Sequence, residues 1–214
     1  MAKKTQIIPA ILADHIDDFK RQWSKVSKHF KLVQIDIMDG EFVATHNDLS
    51  PRKIKNIIKR QPIEIHLMVK DINTYIGQWS TCKNVQKIIW HYQALPDEDA
   101  ISQAVRWLKK QKIKTGLAIN PKIPLKQILS IAKKFDTILV MGVTPGQMGQ
   151  KFQKKSLSKI KKLRKQFPNL NIEVDGGIND KNFKAVTKTG ANLVVVGSYL
   201  QQADDIKTAL SKLQ

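Results

Sequence analysis

The feature that most constrains this chain is its period: apolar, strand-like runs alternate with amphipathic, helix-like runs from one end to the other, joined by short connections. Strands are expected near 6–11, 32–38, 63–68, 86–91, 114–119, 136–141, 171–175 and 192–197. A helix follows each, near 15–28, 51–60, 72–81, 97–111, 125–134, 153–166, 180–188 and 203–213. Asp14 and Asp180 stand as N-caps, Pro51, Pro96 and Pro124 where helices begin, and Gly190 after one that ends. Strands joined by crossover helices run parallel. Eight such units in 214 residues close into a single-domain (β/α)8 barrel over residues 1–214, an α/β fold. The competing arrangement, an open doubly wound sheet, would place GxGxxG after the first strand; ILADHIDDF stands there instead, and there is no P-loop.

Composition narrows the setting. The lone Cys82 excludes an internal disulfide and suits a reducing compartment. Before Asp14 only IIPAILA is apolar, too short for a secretory or membrane-spanning core, so a cytoplasmic protein with no membrane partner is expected. The net charge of +19 would draw polyanions, yet 32 of the 37 basic residues are Lys. Phosphate and base-edge recognition favours the planar fork of Arg, so the excess reads as a solvated surface and no dedicated nucleic-acid site is expected. In KFQKKSLSKIKKLRKQF, at 151–167, the apolar residues share one helical face and the lysines lie outward.

The chemistry gathers where strands end. In LVQIDIMDG, at 32–40, alternation puts Gln34, Asp36 and Met38 on one face; IEIHLM does the same for Glu64, His66 and Met68, and NIEVDGG for Glu173 and Asp175. Asp36, His66, His91, Asn120, Met141 and Asp175 fall at the carboxyl ends of their strands, the end at which barrels of this kind build their sites. Asp36 and Asp175, from strands on different sides of the ring, suit inversion of one carbon: one carboxylate removes a proton and the other delivers one to the opposite face. His66 would stabilise the enolate oxygen, directly or through a divalent cation. The bland alternative makes each acid a buried, hydrogen-bonded structural residue. Met38, Met68 and Met141 serve equally as pocket lining or core filler, and Asp39 with Gly40 makes a turn, without a catalytic role.

Glycine loops follow the last three strands: TPGQMGQ at 144–150, DGG at 175–177 and GS at 197–198. Backbone N–H groups converging there would seat a phosphate, so a phosphorylated small molecule is the expected ligand; the alternative is a set of tight turns.

PAILAD, IDIMDGEFV, IHLMV, the NP of AINPKIPL, MGVTPGQMGQKF, IEVDGGI and VVGS together resemble the ribulose-phosphate 3-epimerase family over the whole length. The resemblance implies a (β/α)8 barrel that interconverts D-ribulose 5-phosphate and D-xylulose 5-phosphate, commonly with zinc, iron, manganese or cobalt, and with associated subunits. It gives Asp36 and Asp175 the acid and base roles and, with His66, the metal. It gives substrate and phosphate contacts to Gly146, Gln147, Met148, Gly149, Asp175, Gly176, Gly177, Gly197 and Ser198, with His66 also near the substrate.

Four positions depart from the family. Gln34 replaces a metal-binding His, Ala10 replaces a substrate-contacting Ser, ATHNDLSP after Val43 is one residue longer, and Gln147 with Met148 replaces a bulky apolar and a small residue. An amide oxygen is a weaker ligand than imidazole, which turns the expected metal from zinc toward Mn, Fe or Mg, with Gln34 at most a fourth ligand. The expected function is epimerisation of ribulose 5-phosphate. The alternatives are an epimerase of another ketose phosphate, such as allulose 6-phosphate, or an inactive barrel that binds phosphate ligands or polyanions.

Overall fold

A computed structural model describes residues 5–94 and 97–213; the cap position of Pro96 and the first four residues lie outside it. Eight parallel strands close a barrel in sequence order, β1 pairing with both β2 and β8. They are β1 Gln6–Ile11, β2 Val33–Met38, β3 Ile63–Met68, β4 Val85–His91, β5 Lys114–Ile119, β6 Thr137–Met141, β7 Asn171–Asp175 and β8 Leu193–Val196. Outside them lie α1 Ile16–Val26, α2 Pro51–Ile58, α3 Ile72–Trp79, α4 Glu98–Lys110, α5 Lys155–Gln166, α6 Phe183–Lys188, α7 Ser198–Gln201 and α8 Ile206–Leu213. The expected barrel is the observed one. No helix among the described residues is long and apolar enough to cross a membrane.

The differences are local and physical. The helix expected over 125–134 is two 3-10 turns, Leu125–Gln127 and Ala132–Lys134. Buried Ile128 and Ile131 lie in the turn between them, where Ile131 N donates to Ile128 O at 3.2 Å. The two acids expected as N-caps are displaced, α1 starting after His15 rather than Asp14 and α6 after Asn182 rather than Asp180, and α5 and α8 begin later than expected, at Lys155 and Ile206. Pro51 opens α2, and Gly190 follows α6 with φ +112°. Side chains close the caps at Asp71, accepting from Thr74 N at 3.3 Å, at Asp97, accepting from Ala100 N at 2.8 Å, and at Asp205, accepting from Thr208 N at 2.7 Å. The short α7 has no counterpart among the expected helices.

Two apolar layers hold the frame. One lies between strands and helices, where Phe19, Trp79 and Trp90 are fully buried. The other fills the barrel, where Ile89, Ala118, Leu139 and Met141 pack together. Inside the barrel, toward its amino-terminal end, sits a charged group instead of more apolar filling. Lys87 of β4 reaches Glu64 of β3 at 2.8 Å and, across the ring, bonds Glu173 of β7. All three are buried.

Candidate active site

The register of the strands levels the polar side chains at the carboxyl end. Asp36 stands beside His66 and Met141 beside Asp175. Closure of the ring then brings β7 to β2 through the interior. His66 Nδ1 lies 3.0 Å from Asp36 Oδ1 and 3.5 Å from Asp175 Oδ2. Above them opens a cleft lined by Ala10, Asp36, His66, Met68, Met141, Gly146, Gln147, Met148, Gly149, Asp175, Gly176, Gly177, Gly197 and Ser198 among others. No Lys or Arg is among the lining residues.

Gln34 lies below the cleft with no exposed surface. Its Nε2 donates to Asp36 Oδ1 at 2.8 Å and to Asp175 Oδ2 at 2.9 Å. Carboxylates only accept, so the amide NH2 faces them; Gln34 Oε1 is buried without a partner.

Charge follows from this packing. Burial works against an imidazolium at His66, but hydrogen bonds and charge from Asp175 and Asp36 outweigh it and push its pKa up to about 10. Burial raises Asp36, an effect that the His66 hydrogen bond partly offsets and the charge of Asp175 reinforces. The other ring nitrogen, His66 Nε2, lies 2.9 Å from His91 Nε2. Burial, aided by the His66 charge, holds His91 neutral, so its Nε2 accepts the His66 proton. His91 thus fixes the ring that faces both acids, and the Phe42 ring packs on it at 4.9 Å. Sequence reasoning placed His91 at a strand end without a role; the available signal was that it stands at the carboxyl end of β4, level with Met68 two residues beyond His66.

The long loop after β2 supports Asp36 from behind. It folds back as an antiparallel bridge between Asp39 and His46. Asn47 Nδ2 then donates to the Asp36 carbonyl at 2.8 Å. Asp39 accepts from the N–H groups of Glu41, Phe42 and Lys70, the turn role expected of it. Thr45 Oγ1 donates to the Gly146 carbonyl at 2.7 Å, tying this loop to the one after β6. Of the methionines, Met68 and Met141 line the cleft, whereas Met38 is buried beneath Thr45.

Gly177 is a glycine the site cannot replace. Its φ is +70°, and a Cβ there would stand 2.6 Å from Phe152 N and 2.7 Å from Gln150 O, both backbone. Gly177→Ala is therefore expected to displace the loops after β6 and β7 and raise the KM for a phosphorylated substrate about tenfold or more, a loss of roughly 1.4 kcal/mol of binding. Steady-state kinetics on the purified variant checks it.

Asp36, His66 and Asp175 offer two carboxylate oxygens and one ring nitrogen, all within 4.8 Å of one another and buried. That donor set fits a divalent cation of the hard-to-borderline kind, and no thiolate is present to select a soft one.

The sequence profile of the ribulose-phosphate 3 epimerase family matches residues 6–201. A ribulose-phosphate 3-epimerase of Schizosaccharomyces pombe is 31% identical over 217 residues, covering 99% of this chain and 93% of the relative. One of Bacillus subtilis is 31% identical over 189 residues, 85% of each, and one of Escherichia coli 28% identical over 222 residues, 99% of this chain and 96% of the relative. Among solved structures, a tryptophan synthase α-subunit of Pyrococcus furiosus superposes with a TM-score of 0.74 at 16% identity, covering all of this chain and 98% of that one. At that identity it speaks for the barrel alone.

Proposed function

Because the chain belongs to the ribulose-phosphate 3-epimerase family, we infer that it inverts C3 of D-ribulose 5-phosphate, with Asp36 and Asp175 as the two proton carriers. The observation that carries this reading is the convergence of two carboxylates from β2 and β7 on His66 at the floor of one cleft.

In this reading the phosphate rests on the glycine loops, against backbone N–H groups around Gly146, Gln147, Met148 and Gly149, Gly176 and Gly177, and Gly197 with the hydroxyl of Ser198. Asp36 takes the C3 proton as a carboxylate; its environment already favours holding one. Asp175 returns a proton to the opposite face, and in the reverse direction the two exchange roles. His66 presents its Nδ1 side to the reacting oxygens, oriented by the bond to His91. A divalent cation held by Asp36, His66 and Asp175 would supply Lewis-acid stabilisation of the charge that develops on the substrate oxygens. With two oxygens and one nitrogen as donors, Mn2+ and Fe2+ are the first ions to try, then Zn2+ and Mg2+.

A second, open cleft adjoins the first along Pro145, Gly146 and Gln147. This favours a longer ketose phosphate, such as allulose 6-phosphate, as the second substrate. Cys82, free and only partly buried, suits a reducing compartment such as the cytoplasm.

The test is epimerisation of ribulose 5-phosphate and of six-carbon ketose 6-phosphates by chelator-treated protein, with each ion added back in turn. Turnover of ribulose 5-phosphate that returns with one ion is the expected result. Absence of turnover on every ketose phosphate with every ion would overturn the reading.

A further inference from the structure

We propose that Gln34 is a clasp: its amide hydrogens occupy the carboxylate oxygens that a divalent cation would take, so Gln34 competes with the cation instead of ligating it. The inference rests on the reading of Asp36, His66 and Asp175 as the cation site.

The geometry is specific. The two acceptors of Gln34 Nε2, Asp36 Oδ1 and Asp175 Oδ2, are the same two atoms that His66 Nδ1 approaches. They are the oxygens that converge on one point, and an NH2 group already stands against both. Its hydrogens carry partial positive charge, so they offset the mutual repulsion of the carboxylates as a cation would. Turning the amide over would aim Oε1 at two carboxylate oxygens. The observed pose leaves Oε1 unpaired, and two charge-assisted bonds outweigh that one unpaired neutral oxygen. Gln34 is fully buried between strands, so nothing from solvent relieves either choice. Cation entry must therefore break two bonds that the barrel has already made.

Gln34→Met keeps the length of the side chain and removes the donors. In the chelator-treated full-length protein, calorimetric titration with Mn2+ alone is expected to show about tenfold tighter binding by the variant, the loss of one charge-assisted bond's worth of competition. The metal-free variant is expected to melt several degrees lower, because its carboxylates lose two charge-assisted bonds and keep only the His66 contact. Weaker or equal Mn2+ binding, or an unchanged melting temperature, overturns the clasp; weaker binding is what a ligand role for Oε1 would give. The parent supplies a reading that needs no variant. Its Gln34 side-chain amide proton resonances are expected to lie downfield without metal, as two charge-assisted bonds require, and to move upfield when Zn2+ saturates the site. Resonances at ordinary amide shifts without metal, or unmoved on saturation, also overturn it. Neither readout uses turnover, so an inactive protein that shows both results sinks the epimerase reading alone. No Mn2+ uptake by either protein overturns the competition and the cation site together.

Discussion

Asp36→Asn and Asp175→Asn are each expected to lower epimerase turnover by at least about a thousandfold, the scale on which a positioned acid or base contributes. Asn keeps the volume of Asp and can still accept from the Gln34 amide, so folding is expected to survive where proton transfer does not. The two losses differ in kind. Without Asp175, Asp36 still removes and returns the C3 proton on one face, so ribulose 5-phosphate exchanges that proton with heavy water but does not invert. Without Asp36, the same holds for xylulose 5-phosphate and the other face. Nuclear magnetic resonance of the substrate pool in heavy water separates the cases. A folded variant of either kind that keeps more than about a tenth of parental turnover would exclude the two-carboxylate mechanism.

Lys87→Met is expected to be the most damaging single change outside the cleft. Lys87 is 5% exposed and bonds two carboxyl groups that have no exposure at all. Removing one partner of such a group leaves buried charge uncompensated, at a cost of about 3–5 kcal/mol. For a chain of this size that lowers the melting temperature by roughly 10 °C. The loss should depend on pH. Burial, with the charge of Glu173, pushes Glu64 up to about 8 from 4.5, while Lys87 works in the opposite direction. Between those values the native state keeps a proton that the unfolded chain has released, so this group's contribution to stability falls as pH rises through the window. Without Lys87 the fall steepens, and the variant should lose more at pH 8 than at pH 5. The triple change Lys87→Met with Glu64→Gln and Glu173→Gln should recover most of the loss. Thermal melts at the two pH values decide it, and a Lys87→Met variant that melts within about 2 °C of the parent at pH 8 would remove the ion group from the account.

The barrel was legible because its strands are period-two runs walled on both sides. The boundaries of IEIHLM, KTGLAI and NIEVD could be read from the pattern of the sequence alone. Asp36, His66 and Asp175 could be brought together on paper because each stands at the same end of an inward-facing strand. What escaped was whatever depends on a partner far away in the chain. The reach of Lys87 to Glu173 spans 86 positions, and the link from Thr45 to Gly146 spans 101. No local pattern encodes either. The orientation of Gln34 was hidden for a related reason: residue type says that an amide is present, but only the two facing carboxylates say which end of it points inward. The segment at 125–134 failed differently. Apolar residues spaced by three fit an α-helix and a pair of 3-10 turns alike, so spacing alone does not decide between them.

A cleft without lysine or arginine, on a chain with a net charge of +19, divides the handling of an anionic sugar between two agents. The diffuse field of the lysine surface acts over a Debye length, about 10 Å at 0.1 M salt, and governs how often a dianion arrives. If the phosphate is seated on the glycine loops as proposed, uncharged backbone dipoles govern how long it stays, at a range too short for salt to screen. Ionic strength then sets the rate of capture and leaves residence nearly untouched, so crowding by other cellular phosphates thins the traffic to the mouth without loosening what is already inside.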